Sequence, residues 1–208
     1  MDGRDPIQGE DVLEFRLLYQ GILRANGSVE DKFSIRRQLH PQLRRLWREN
    51  PLLRDACERI GLPHDPSNPF EYGIDTLAGR IGDFRFLPLS QKKFFLRCSI
   101  DVLFLRREKP GKVFMRGDID NRLKTLFDAL KMPSPFQECG EQKPKEDENP
   151  FYVLLEDDET IADVSVTTDR LLQFPPEHEY SKDYAVLVIN VKLEPIRNSA
   201  WGYVFSGR

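Results

Sequence analysis

The sequence predicts an α/β (α+β) fold, a mixed β-sheet flanked by helices. Three observations predict it. Several short β-forming runs are spread along the chain, few segments carry a helical apolar period, and one helix beginning at Asp118 is strongly amphipathic. The 208 residues suit one domain, 1–208, of ordinary globular composition, 39% apolar and 31% charged.

Val12 to Tyr19 (VLEFRLLY) reads as the first strand, closed by Gly21 and the turn-like Asn26-Gly27. From Ser34 to Glu49, Ile35, Leu39, Leu43 and Leu46/Trp47 recur at helical spacing, and Pro41 predicts a kink or a break there. A shorter helix is expected from Leu52 to Ile60, and the prolines and glycines of 61–75 predict a loop. Phe84–Leu89 and Phe94–Arg106 read as strands. Ile119, Leu123, Leu126, Phe127 and Leu130 form the buried stripe of a helix over Asp118–Lys131. Residues 132–150 are proline-rich and acidic, the composition of an exposed or disordered loop. Phe151–Leu155 and Ile161–Thr168 are strands on either side of an acidic turn, and Tyr184–Leu193 is the final strand. Residues 31–80 thus read as a largely helical region and 132–150 as a loop.

No apolar run approaches the ~20 residues of a membrane span, and MDGRDPIQGEDV has neither the basic start nor the apolar stretch of a secretion signal. The three cysteines, Cys57, Cys98 and Cys139, are too far apart for a zinc site and odd in number for a disulfide framework, so a reducing cytoplasm is expected. The formal charge of −3 conceals a division. Residues 32–54 carry Lys32, Arg36, Arg37, Arg44, Arg45, Arg48 and Arg54 against Glu49 alone, whereas 138–163 are dominated by acids. A DNA enzyme that grips with one segment and holds cations with another has this pattern, and so has a protein with unevenly charged faces. Arg36, Arg37, Arg44, Arg45 and Arg48 are the DNA-backbone candidates.

Two acidic elements stand out: Gly117-Asp118-Ile119-Asp120-Asn121 and Glu156-Asp157-Asp158-Glu159. Carboxylates at i and i+2, joined by a third from a distant turn, make an oxygen-rich site suited to Mg²⁺, which can activate water against a phosphodiester. Asp118 equally fits a helix N-cap, and Asp157-Asp158 fits a hairpin turn. Asp120, Lys124 and Asp128 lie at i, i+4 and i+8, drifting ~40° per step, so they form one polar stripe. That stripe is either a surface ion-pair ladder or a lysine held beside metal-binding carboxylates, where it serves a phosphate oxygen.

GDIDNRLKTLFDAL (Gly117–Leu130) followed by LLEDDETIADVSV (Leu154–Val166) resembles the RusA-type Holliday junction resolvases, and the likeness covers about half the chain. The resemblance implies a RusA-like fold and a homodimeric, Mg²⁺-dependent endonuclease, Mn²⁺ substituting, that cuts branched DNA such as the Holliday junction. It carries metal binding onto Asp118, Asp120 and Asp158 and the essential lysine onto Lys124. Asn121 and Asp128 are supporting motif positions, and Asp157 is read as a turn or supporting residue. Gly117 and Glu159 depart from the family's usual proline and uncharged residue, and the chain is longer than the typical member, with a helical elaboration at about 31–80 and a loop insertion at 132–150. The competing readings are a non-catalytic DNA-binding or regulatory protein keeping this fold, and another Asp-x-Asp phosphoester enzyme. The latter is disfavoured because Arg116-Gly117 precedes and Asn121 follows the pair.

Overall fold

In the computed structural model, residues 13–107, 118–133, 136–178 and 181–196 are described, with the side chains of 118, 136 and 137 outside that description. Period-two burial builds the larger sheet. In β4 (Leu96–Arg106), Leu96, Cys98, Ile100, Val102 and Phe104 are buried while Arg97, Asp101 and Leu103 are exposed. This strand pairs antiparallel with β7 (Tyr184–Pro195), Ile100 opposite Val191 and Phe104 opposite Leu187. β7 in turn pairs antiparallel with β1 (Leu13–Ile22), and β6 (Ile161–Arg170) lies parallel to β4, giving the order β1-β7-β4-β6. A smaller sheet orders β2 (Gly79–Ile81), β3 (Phe84–Ser90) and β5 (Phe151–Leu155), with β3 and β5 parallel. The result is the mixed α+β architecture expected.

The two parallel pairs are continuous. Both β3 to β4 and β5 to β6 cross from the small sheet to the large one, and the Glu156 N–H donates to the Ser90 carbonyl (2.9 Å) at the crossing. The acidic segment 156–160 is therefore not a hairpin turn, since the strands flanking it belong to different sheets.

α1 (Val29–Glu49) starts at a capping box, Ser28 with Asp31, and runs unbroken through Pro41. The expected break at this proline is absent. Leu39, Leu43 and Trp47 are buried on either side of it, and their burial outweighs the backbone hydrogen bond that a proline removes. α1 also blunts one sheet edge: the Gln42 amide pairs with both the N–H and the carbonyl of Leu18 (2.9 and 2.7 Å), and Gln38 accepts from the Gln20 N–H (3.3 Å).

The loop expected over 61–75 holds a helix. After α2 (Pro51–Gly61), α3 (Pro69–Leu77) starts with Pro69 in its first turn and buries Ile74 and Leu77. Its glycine, like the one closing α2, serves close helix contact rather than a turn: a Cβ on Gly61 would sit 1.8 Å from the Pro69 carbonyl oxygen.

The acidic stretch after α4 (Asp118–Leu130) is pinned to α1. Arg37 donates to Glu148 (2.8 Å) and Gln142 (2.7 Å), while the buried His40 accepts from the Tyr152 N–H at Nδ1 (2.9 Å) and lies 3.1 Å from the Asp147 carbonyl through Nε2. A neutral imidazole, Nε2 protonated, satisfies both contacts. Burial pushes His40 below its ordinary 6.5, against the opposing pull of the Asp147 carbonyl. Protonation then favours the unfolded chain, so this contribution to stability is intact above ~6.5 and declines as pH falls below it. The urea midpoint is expected to drop between pH 7.5 and 5.5, and to drop less in His40→Gln. An equal drop in both proteins would assign the effect to other groups.

Candidate active site

α4 buries Ile119, Leu126, Ala129 and Leu130 against the main core, with Leu123 and Phe127 half-buried beside them. Three anchors fix its position. Arg122, buried, donates to the carbonyls of Leu23 (3.0 Å) and Lys182 (3.2 Å) and pairs with Asp183 (2.8 Å), tying the helix to the ends of β1 and β7. The loop after β1 docks on its flank: the Gly27 N–H donates to Thr125 Oγ1 (2.8 Å), and a Cβ on Gly27 would lie 2.5 Å from Thr125 Cγ2. At the far end Arg36 donates to the carbonyls of Asp128 and Lys131, satisfying groups left open at a helix C-terminus.

This last contact corrects an expectation. Arg36 is 2% exposed and caps α4, so it presents no surface to DNA. Desolvation lowers its guanidinium to about 10, still charged at neutral pH. Arg37 is committed to the acidic stretch, as above. Arg45 pairs with Glu49 and Arg48 with Glu71 (2.8 and 2.9 Å) at the surface, and Arg44 is half-buried. The basic segment thus spends much of its charge within the fold.

The polar stripe of α4 lies as its spacing predicts. Asp120 and Lys124 are exposed, Asn121 and Asp128 half-buried. Asp128 pairs with Lys32 (2.8 Å) and, more loosely, Lys131 (3.8 Å), and Lys131 also reaches Asp158 (3.2 Å). The acidic crossing is therefore docked on the same helix, at its C-terminal end, where the Met132 N–H also donates to the Leu155 carbonyl (2.8 Å). On its other side Lys92 braces the crossing, reaching Asp157 (3.2 Å) and Glu159 (2.8 Å), and its N–H donates to Glu156 (2.7 Å). Asp157 is lowered to about 2, first by the hydrogen bond shared with Asp158, which with Lys92 and the Glu159 N–H outweighs the opposing effect of burial.

Asp118 opens α4, and its side chain lies outside the described residues. Eight residues of helix, roughly 12 Å of rise, separate Asp120 from Asp128, beside which Asp158 is held. Asp120 and Asp158 thus stand towards opposite ends of the stripe. Among the described residues no three His, Cys, Asp or Glu side chains lie close enough to hold a metal. The residues not anticipated from sequence are Lys131, Lys92, Lys32 and Arg122. Lys131 extends the stripe by one step beyond Asp128 and Lys32 heads the basic segment, both readable signals, whereas Lys92 carries no local mark.

No protein-family model, no curated protein and no solved structure matches this chain. Among the described residues no helix is long and apolar enough to cross a membrane.

Proposed function

We propose that this chain is a metal-dependent endonuclease acting on branched DNA, in the manner of the resolvases that its motifs resemble. One observation carries the reading: the Asp157-Asp158 crossing, remote in sequence, docks through Lys131 onto the polar stripe of Asp120, Lys124 and Asp128. The crossing thus meets the stripe at its Asp128 end, a meeting that a solvated ladder on α4 alone does not require.

When bound, Mg²⁺ or Mn²⁺ would supply charge neutralisation and an activated water. Asp118, Asp120 and Asp158 are its proposed ligands. As placed, Asp120 and Asp158 do not converge on a single ion. Lys124, exposed between Asp120 and Asp128, offers an ammonium to a backbone phosphate. With the chain's net charge at −3, attraction for DNA must come from local surface. Cutting both strands of a junction symmetrically calls for a homodimer.

The test is incubation with labelled four-way junction, fork, duplex and single strand, with and without Mg²⁺ or Mn²⁺. Metal-dependent cuts in the branched substrates are expected. Binding without cleavage under every condition would favour the non-catalytic DNA-binding reading. Lys124→Ala is expected to retain DNA binding and to lose about a hundredfold in single-turnover rate, the scale of a lost transition-state donor. A surface ladder instead predicts a stability change of only ~0.3–0.5 kcal/mol and an unchanged rate.

A further inference from the structure

We infer that the residues after β6, Leu171 to Pro176, and the start of β7 form a pocket for one unstacked nucleobase, at the end of the sheet where α4 begins. The inference rests on the nuclease reading and names a part of the substrate that the carboxylates leave unaddressed.

Leu171 continues the line of β6, its N–H donating to the Arg106 carbonyl (2.7 Å). The chain then folds back as Gln173-Phe174-Pro175-Pro176-Glu177-His178 along the outer side of the sheet. Gln20, Phe174, Pro175, Pro176, Tyr184 and Val186 line a cavity of about 350 Å³ there, within the ~300–1,000 Å³ range of small-ligand sites. Its walls suit a flat heteroaromatic ring. Tyr184, buried and stacked by His178 at 4.7 Å and 25°, forms the floor, and Phe174, 6.1 Å from Tyr184, supplies the aromatic face that a base can reach. Phe174 is half-buried, leaving part of its surface at the opening. Of the two amides bordering the same space, that of Gln20 donates to the Tyr184 hydroxyl, and that of the exposed Gln173 carries a donor and an acceptor that can read a base edge.

Charge and position distinguish a nucleotide from another planar ligand. The Arg107 guanidinium lies 6.0 Å from the Phe174 ring centroid, an arrangement that joins a cation to a stacking platform. Arg170 at the end of β6 and Lys182, two residues before Tyr184, are exposed cations at this end, whereas Arg106, opposite Arg170 in the β4–β6 register, is buried. The acids nearby are Asp169, Glu177 and Asp183, of which Asp183 is paired with Arg122. Arg122 also links the two sites: two residues after Asp120, it holds the Lys182 carbonyl and Asp183, next to the Tyr184 floor. A strand whose phosphate lies at the start of α4 can therefore turn round the sheet end and place a neighbouring base in the pocket. Only an unpaired base, as at a fork or junction, is available for this without the cost of opening a duplex.

The experiment uses the full chain and a fork whose single-stranded arm carries one 2-aminopurine, moved along the arm one position at a time. At one position the probe's fluorescence should be quenched on binding, as a stacked base requires. An abasic nucleotide at that position should weaken binding by about 5- to 150-fold, the range for one base–aromatic stack. Phe174→Ala should weaken the intact fork by the same factor and leave the abasic fork unchanged. Fork binding with no quenching at any position, or equal loss for both forks in Phe174→Ala, overturns the pocket and leaves the nuclease reading standing. Absence of binding to any DNA overturns both.

Discussion

Asp118→Asn, Asp120→Asn and Asp158→Asn are each expected to leave DNA binding intact while metal-dependent cleavage falls by a hundredfold or more. Each substitution removes a charge from a proposed ligand and keeps its shape. A metal supplies several kcal/mol of charge stabilisation in such reactions, and each 1.36 kcal/mol is tenfold in rate. Folding should hardly change. Asp158 is 56% exposed in its side chain, and its pairing with Lys131 is a surface ion pair, worth ~0–1 kcal/mol. Asp157→Asn should be milder, because Asp157 spends its charge on Lys92 and helps to hold the crossing. Single-turnover cleavage of a labelled junction, with anisotropy for binding and a thermal melt for folding, separates these effects. Full cleavage by any two of the three variants would remove these aspartates from the site.

The parts of this molecule that sequence discloses are those whose cause is local. Alternation in LRCSIDVLFLR and the apolar stripe of DIDNRLKTLFDAL are written in consecutive residues, and β4 and α4 stand where those patterns put them. What escaped depends on partners far along the chain. Phe151–Leu155 and Ile161–Thr168 resemble a hairpin because the residues between them are turn formers, and only their pairing with β3 and β4 sends them to different sheets. Arg36 has the composition of a surface cation, yet the open carbonyls at the end of α4 draw it inside. The site was legible on the same terms. The stripe Asp120-Lys124-Asp128 follows from helical period, whereas docking of Asp158 at its far end through Lys131 is a tertiary fact. The α2–α3 pair is the clearest case, since residues that punctuate loops elsewhere serve there as points of helix contact.

Gly73→Ala and Gly61→Ala are therefore expected to be the most damaging single-methyl changes outside the site. A Cβ on Gly73 would lie 2.2 Å from the Cys57 carbonyl oxygen, and one on Gly61 would lie 1.8 Å from that of Pro69. The obstructing atoms are backbone, so no side chain can rotate to make room. The helices must part, loosening the buried contacts of Leu53, Cys57, Ile74 and Leu77 with the main core. Overpacking of this kind costs ~3 kcal/mol or more, offset by the ~1 kcal/mol that alanine gains over glycine within a helix. At ~2–4 °C per kcal/mol for a domain of this size, the midpoint should fall by roughly 4–8 °C. Gly79→Ala is the control, because a Cβ there meets nothing within 4 Å, and its midpoint should stay close to that of the parent. The double variant Gly61→Ala with Gly73→Ala should lose less than the sum of the two, since one separation relieves both clashes. Thermal melts of the parent and the four variants decide the matter. Midpoints for Gly61→Ala and Gly73→Ala within 1 °C of the parent would mean that α2 and α3 do not pack this closely.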